Sequence, residues 1–302
     1  MNKYSLCIVV LHYNNAKMTC SYVKNLKKLK STNYEMHIIL VDNKSPDGSG
    51  EVLKETYKVD KWVDVVLLDK NLGFAKGNNA GIQLAREKYN ADFIVVSNSD
   101  IKITDSEFFE KMLGIYEQTG FDIFGPDIYG VRYKEHQSPM APRHLTIEQV
   151  DNKINHYKKT LKMIRLTGKL KLYYPLCRIK DALTSASGKD SAYGMDYSKP
   201  QEGVVVHGAF FVLTRKYMEA YPDGLYPETF LYEEEYILNY RAHLKNLKIV
   251  YDPSISVRHY EGVASLSVSG DRLNHLIFME ENIIKSCKVM KRYMLKTQAK
   301  GK

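Results

Sequence analysis

The chain has 302 residues, 44% of them hydrophobic, enough for one large α/β domain or two small ones and too many for a disordered polymer. Its net charge of +9 is local: residues 153–180 hold nine Lys/Arg and residues 285–302 hold seven, with no acid in either, so the remainder is net acidic. The four cysteines, Cys7, Cys20, Cys177 and Cys287, lie far apart without a C-x-x-C pair, which excludes a disulfide framework or zinc ribbon and fits a reducing compartment.

The first apolar run, Leu6–Leu11, reads as a buried strand. It is too short for the core of a signal peptide, and no stretch reaches the ~20 apolar residues of a membrane span. The expected location is cytoplasmic, either free or peripheral on the inner face of the membrane. The turn His12-Tyr13-Asn14-Asn15 follows, then a helix over about Met18 to Leu29. Met36–Val41 is a second buried strand, ended by Asp42-Asn43-Lys44-Ser45-Pro46-Asp47-Gly48, with a helix from about Gly50 to Tyr57. Val63–Leu68 is a third strand. Asn71–Asn79 is Gly-rich and is predicted as a turn leading into a helix over about Ala80–Tyr89. Phe93–Ser97 is a fourth strand with Asn98-Ser99-Asp100 at its carboxyl end, and Asp105 or Ser106 can cap the next helix.

Near-continuous Val/Ile/Leu strands separated by helices predict a mostly parallel sheet covered on both faces. Such sheets bind ligands beyond the carboxyl ends of their strands, where Tyr13-Asn14, Asp42 and Asp100 fall. Farther along, 133–200 is basic and Pro-containing, with a helical stretch over Ile147–Leu166 and a polar loop over Ser185–Pro200 expected to be mobile. Gly203–Leu213 reads as a strand, Phe230–Leu244 as a helix opening with acids, and Lys248–Tyr251 and Ser254–Val257 as short strands around Pro253. Leu273–Lys296 is a long amphipathic helix with a basic end. The expected division is 1–132, 133–202, 203–265 and 266–302.

Several polar groups in this pattern carry chemistry. Asp42 can accept the imide N–H of uracil or thymine, although read alone it is better explained as a turn cap. Asn98 and Asp100, two residues apart on a strand end, can face the same side, and one carboxylate plus a diphosphate can hold a hard divalent cation. Glu233-Glu234-Glu235 complements a helix N-terminus, and successive side chains point ~100° apart, so one or two of the three can face the crevice as a general base. His259, read alone, is an ordinary structural histidine.

These residues occur in ordered blocks that resemble family-2 glycosyltransferases, especially the bacterial rhamnosyltransferase-like branch of polysaccharide biosynthesis. The blocks are Ile8-Val9-Val10-Leu11-His12-Tyr13-Asn14, then Val41 to Ser49, then Asn71-Leu72-Gly73-Phe74-Ala75-Lys76-Gly77-Asn78-Asn79-Ala80-Gly81-Ile82. Asn98-Ser99-Asp100, Gly208-Ala209-Phe210-Phe211, Leu231-Tyr232-Glu233-Glu234-Glu235 and Arg258-His259 complete the series. The resemblance implies a GT-A fold with a Rossmann-like central sheet, and an inverting transfer of sugar from a UDP- or dTDP-sugar to a glycan or lipid-linked acceptor.

It also implies roles by position. Tyr13, Asn14, Asp42, Gly73, Asn79, Asn98 and Asp100 would shape the donor site, with Asp42 on the base. Asp100 and His259 would ligate Mn²⁺ or Mg²⁺. Gly208, Ala209 and Tyr232 would lie on the acceptor side. Where the family usually has Glu-Asp this chain has Glu234-Glu235, so Glu235 is the first choice of general base and Glu234 the second, each one methylene longer than aspartate. The N-x-D variant leaves Asp100 as the clear carboxylate ligand.

The basic segments 153–180 and 285–302 can serve an anionic membrane surface, with Ile147, Ile154, Leu161 and Ile164 as an apolar stripe, or can be solvated helical faces. They carry no nucleic-acid motif, so no nucleic-acid partner is expected, and the last helix can pair with a second copy as a homodimer. Two other functions fit less well. One is a catalytically degenerate protein that binds membrane or polyanion; the other is a nucleotidyltransferase, whose Gly-rich basic fingerprint near the first strand is missing.

Overall fold

A computed structural model of the protein describes residues 3–29, 31–169, 194–260 and 272–300. The elements begin with β1 (Tyr4–His12), α1 (Ala16–Leu26), β2 (Tyr34–Asp42), α2 (Ser49–Tyr57), β3 (Val63–Leu67), α3 (Gly73–Tyr89) and β4 (Phe93–Asn98). They continue with β5 (Ile101–Ile103), α4 (Phe108–Thr119), β6 (Ile123–Gly130), β7 (Glu135–Ser138), α5 (Ile147–Lys169) and β8 (Gln201–Glu202). The last are β9 (Phe210–Thr214), α6 (Arg215–Ala220), α7 (Glu234–Leu244), β10 (Ile249–His259) and α8 (Arg272–Lys300). Residues 170–180 of the first basic segment and 185–193 of the expected mobile loop lie outside the described residues, as do 301–302 of the second basic segment.

The strands form one sheet ordered β3-β2-β1-β4-β9-β6-β10-β5, with β7 beside β6 and β8 beside β10. Neighbours among β3, β2, β1 and β4 are parallel, and β6 is parallel to β10. β9 runs antiparallel to both β4 and β6. Its amino end therefore lies at the same sheet edge as the carboxyl ends of β1, β2, β4 and β10.

Strand periodicity divides the core in two. Leu6, Ile8 and Val10 of β1 join α1, α2 and α4 side chains such as Val23, Leu53 and Phe109 on one face. Cys7 and Val9 point the other way, to Ala75, Ile82 and Ala85 of α3 and Leu238 of α7. Both faces are sealed, so the central strands are apolar throughout. A third cluster packs α5 and α8 onto the outer side of α7 through Ile154, Tyr240 and Met290. Because α7 is covered on both sides, eight of its eleven residues are buried and it has no solvent stripe.

At the mouth of β1, buried His12 hydrogen-bonds Thr19 Oγ1 of α1 (2.7 Å) and Ser49 Oγ of α2 (2.8 Å), and stands 4.0 Å from Asp42. Burial holds its pKa below the ordinary histidine value, so the ring is a neutral clamp between strand ends.

Four sequence expectations change in the structure. The Gly-rich stretch from Gly73 is the start of α3 and not a turn: at Gly77 a Cβ would crowd Leu11, and at Gly81 it would overlap Val9, so these glycines let the helix lie close on β1. Residues 203–209 are not strand: Val205 makes an isolated antiparallel bridge to Ala141, and β9 begins at Phe210. The helix expected from Phe230 begins at Glu234, because Tyr232 and Glu233 adopt left-handed backbone (φ 70° and 71°). The two short strands around Pro253 are one strand, β10, whose pairing with β6 is irregular between Asp252 and Ser256, where Pro253 has no N–H to give.

Candidate active site

A cleft of about 460 Å³ opens at the shared sheet edge, where β2 and β4 diverge on either side of β1. Tyr13 and Asn14 reach it from the end of β1, and Asn98, Ser99 and Asp100 from the end of β4. His259 reaches it from the end of β10 and His207 from the approach to β9. Gly73 and Tyr232 complete one wall, and α8 adds Phe278 and Met279. The turn after β1 is shaped by asparagines: Asn14 and Asn15 both hold φ 63°, and the Asn15 side chain accepts the Met18 N–H to cap α1.

Asp100 and His259 meet because β5 folds back antiparallel on the end of β10, pairing His259 with Ile101. Nε2 of His259 lies 3.3 Å from Oδ1 of Asp100, and Nδ1 lies 2.8 Å from Oε1 of Gln137. The amide oxygen calls for a proton on Nδ1, which turns the Nε2 lone pair towards Asp100. The pair fits a divalent cation: neighbouring ligands at about 2.1 Å in an octahedral shell stand about 3 Å apart. Among the described residues no third His, Cys, Asp or Glu joins them.

The approach to β9 ties this pair to the acids of α7. Gly208 donates its N–H to Oε1 of Glu235 (3.1 Å), Ala209 donates its N–H to Nδ1 of His207 (3.1 Å), and the Ala209 carbonyl accepts the Asn98 N–H (2.9 Å). A Cβ on Gly208 would overlap the Glu235 carboxylate, so glycine is required for the contact. His207 opens onto the cleft but is otherwise enclosed. Burial, with His259 close by, pushes its pKa down to about 3, so it is neutral.

The three acids have separate fates. Glu233 is paired with Lys153 of α5 (2.8 Å). Glu234 is buried, with one carboxyl oxygen that finds no hydrogen-bond partner among the described residues. Burial first, and the neighbouring Glu235 second, push its pKa well above the carboxylate range. Glu235 is half-buried, and burial raises its pKa too, against the Gly208 N–H that favours the ionised form. Neither Glu234 nor Glu235 lines the cleft directly; Glu235 reaches the backbone next to His207, which does.

Of the other residues expected on the donor side, Asp42 and Asn79 do not line the cleft and Gly73 does. Asp42 is buried and accepts from the Ser45 N–H and hydroxyl, and Gly50 leaves room for its carboxylate. Its neighbour Asn43 lines the cleft and links Gly73 O (3.1 Å) to Leu72 N–H (2.8 Å). Gly73 has φ 78°, and a Cβ there would overlap the Phe230 carbonyl, which accepts the Phe74 N–H at 2.7 Å. Asn79 clamps the backbone of Leu225 with its amide, donating and accepting at 2.7 Å. Gly73 and Asn79 thus fasten α3 to the segment before α7.

Four contributors escaped the sequence reading: His207, Gln137, Lys153 and the first turns of α8. Only His207 had a local signal, a histidine directly before Gly208-Ala209. The others come from elements whose placement no local pattern reports.

The family model described as Glycosyl transferase family 2 matches residues 7–181. Glycosyltransferase GlyG of Streptococcus pneumoniae is 33% identical over 96 residues, 32% of this chain and 30% of that protein, so the match spans about a third of the relative. Among solved structures, S. aureus TarS 1–349 in complex with UDP-GlcNAc has a TM-score of 0.53 at 15% identity, covering 91% of this chain and 66% of that one. GalNAc-T7 with UDP, GalNAc and Mn²⁺ has a TM-score of 0.56 at 12% identity, covering 86% and 44%.

Proposed function

The chain belongs to glycosyltransferase family 2 and has the GT-A fold, and we propose that it transfers a sugar from a UDP- or dTDP-sugar to a glycan or lipid-linked acceptor. The observation that carries this reading is the meeting of Asn98, Asp100 and His259 with Tyr13 and Asn14 in one cleft. The complexes of TarS with UDP-GlcNAc and of GalNAc-T7 with UDP and Mn²⁺ support a nucleotide-sugar donor and a metal. Residues 1–132 form the donor half and 203–265 the acceptor half.

Asp100 and His259 would hold Mn²⁺ or Mg²⁺, which when bound offsets charge on the departing diphosphate. Glu235 takes the proton of the acceptor hydroxyl. The acceptor oxygen forms its bond to the anomeric carbon as the bond to the diphosphate oxygen breaks, with inversion. The Gly208 N–H and the turn at Tyr232-Glu233 aim that carboxylate. Burial and the neighbouring Glu235 raise the pKa of Glu234, which disfavours a second charge beside the base.

The deciding experiment incubates the chain with a panel of UDP- and dTDP-sugars and Mn²⁺ and follows released nucleoside diphosphate by mass spectrometry. Release from one donor, lost in Asp100→Ala, supports the reading and identifies the sugar. No release and no donor-induced thermal shift across the panel sinks it and favours a degenerate, surface-binding protein.

The basic helices suggest where such an acceptor is met. Lys285, Lys288, Arg292 and Lys296 follow one another at helical spacing along the exposed side of α8. The positive charge of this stripe is complementary to an anionic lipid surface, to which we assign it. Co-sedimentation with phosphatidylglycerol vesicles that survives Lys285→Glu/Lys288→Glu/Lys296→Glu unchanged would remove that assignment.

A further inference from the structure

The chemistry above leaves His207 without a task, although it stands in the cleft beside the pair that would hold the cation. Its ring centroid is 5.9 Å from that of His259. The Ala209 N–H points at its Nδ1 from 3.1 Å. A backbone amide can only donate, so Nδ1 presents its lone pair, and the neutral ring carries its one proton on Nε2. An imidazole in this tautomer has no lone pair at Nε2 for a cation. It offers an N–H, and no described residue accepts it.

The donor is also held still. The Glu235 carboxylate takes the N–H on one side of it, and Asn98 donates to the Ala209 carbonyl on the other. A fixed N–H aimed into a cleft, next to the place of a cation, is complementary to an anionic oxygen sharing that cation.

We propose that His207 is a diphosphate-binding residue, whose Nε2–H hydrogen-bonds the distal phosphate of the nucleoside diphosphate and steadies the negative charge gained as it leaves. This rests on the donor reading given above. It assigns His207 to the diphosphate, separate from the metal ligands and from the base.

The test is calorimetric binding of UDP and of UMP, each with Mn²⁺ (dTDP and dTMP if thymidine is preferred), to the wild type, His207→Leu and His207→Gln. The glutamine amide can place an N–H near the lost Nε2, whereas leucine fills the space without one. His207→Leu is expected to weaken UDP by about tenfold to a hundredfold, the range for a hydrogen bond to a charged group, and to leave UMP within about twofold. His207→Gln is expected to recover most of the loss. UDP binding unchanged in His207→Leu, UMP and UDP weakened alike, or His207→Gln as weak as leucine would overturn the proposal while leaving the donor reading intact. A wild type that binds no nucleotide would overturn both. If His207→Leu does not fold, His207→Asn, whose amide is too short to reach, replaces it with the same expectation.

Discussion

Gln137 and His259 are 122 residues apart, yet the amide oxygen of one lies 2.8 Å from Nδ1 of the other. β7 brings Gln137 alongside β6, and β6 pairs with β10, so two strand pairings place the glutamine behind the histidine. That contact decides which imidazole nitrogen faces Asp100. It gives the His259 ring a fixed orientation, which the proposed metal ligand needs.

The first prediction follows from that contact. Gln137→Ala removes the partner that orients His259 and is expected to weaken Mn²⁺ binding by about 10–100-fold, with the fold retained. Isothermal titration with Mn²⁺ in the presence of UDP measures it. Affinity unchanged from the wild type would show that the glutamine plays no part in orienting the ligand.

The proposed base, Glu235, predicts a pH dependence. Burial raises its pKa, so a base at this position is ionised only above the ordinary glutamate range. The acidic limb of kcat/KM is therefore expected to turn at a pH above that of a free glutamate, about 4.3. Glu235→Gln should lower turnover by about 10²–10⁴ and remove this limb, while Glu235→Asp, the residue usual in the family, should keep measurable turnover. A pH profile of Glu235→Gln that superimposes on the wild type would assign the base elsewhere.

Gly208→Ala tests whether the carboxylate is placed by the backbone beneath it. The new Cβ occupies the position of the Glu235 carboxylate, which is the far end of a side chain and can swing away. Melting temperature is expected to change little, whereas a base displaced by about an ångström costs on the order of 10²-fold in turnover. Equal activity, with a thermal shift instead, would make Gly208 a packing residue only.

Glu234 predicts a stability effect with a definite sign. Its folded pKa is raised, by burial and then by Glu235, so the folded chain keeps a proton that the unfolded chain loses earlier. Stability is thus full below the ordinary glutamate pKa and is lost as pH rises towards the folded value. Glu234→Gln removes the titration. Its melting temperature should approach that of the wild type as pH falls below the ordinary glutamate pKa, and exceed it by a few degrees at about pH 7.5. A variant less stable than the wild type at both pH values would contradict the assignment.

Much of this molecule was legible along the chain. The apolar runs around Val9, Ile39 and Val95 could only be strands buried on both faces, because alternate residues had to enter two separate cores. The strand-end groups Tyr13, Asn14, Asn98 and Asp100 followed from those runs, since a parallel sheet collects its carboxyl ends on one edge. The Gly73 block has the composition of a turn but forms the start of α3. Glycine signals both turns and close packing, and only the position of Leu11 and Phe230 shows that here it means packing.

What the chain could not announce is everything that depends on β9 running against its neighbours. That reversal carries His207, Gly208 and Ala209 to the edge where Asp100 already lies, and it turns Glu235 towards Gly208 while Lys153 claims Glu233 and burial raises the pKa of Glu234. The sequence by itself determined the two-faced sheet and the acid and histidine at its strand ends, because side-chain period and turn chemistry are local. Only the tertiary structure decided which of three adjacent glutamates meets the Gly208 N–H, which nitrogen of His259 faces Asp100, and which nitrogen of His207 accepts a backbone N–H. The first two are set by partners more than twenty residues away, and the third by how the 207–209 turn folds back on the His207 ring, and none of these is written in the spacing of residues.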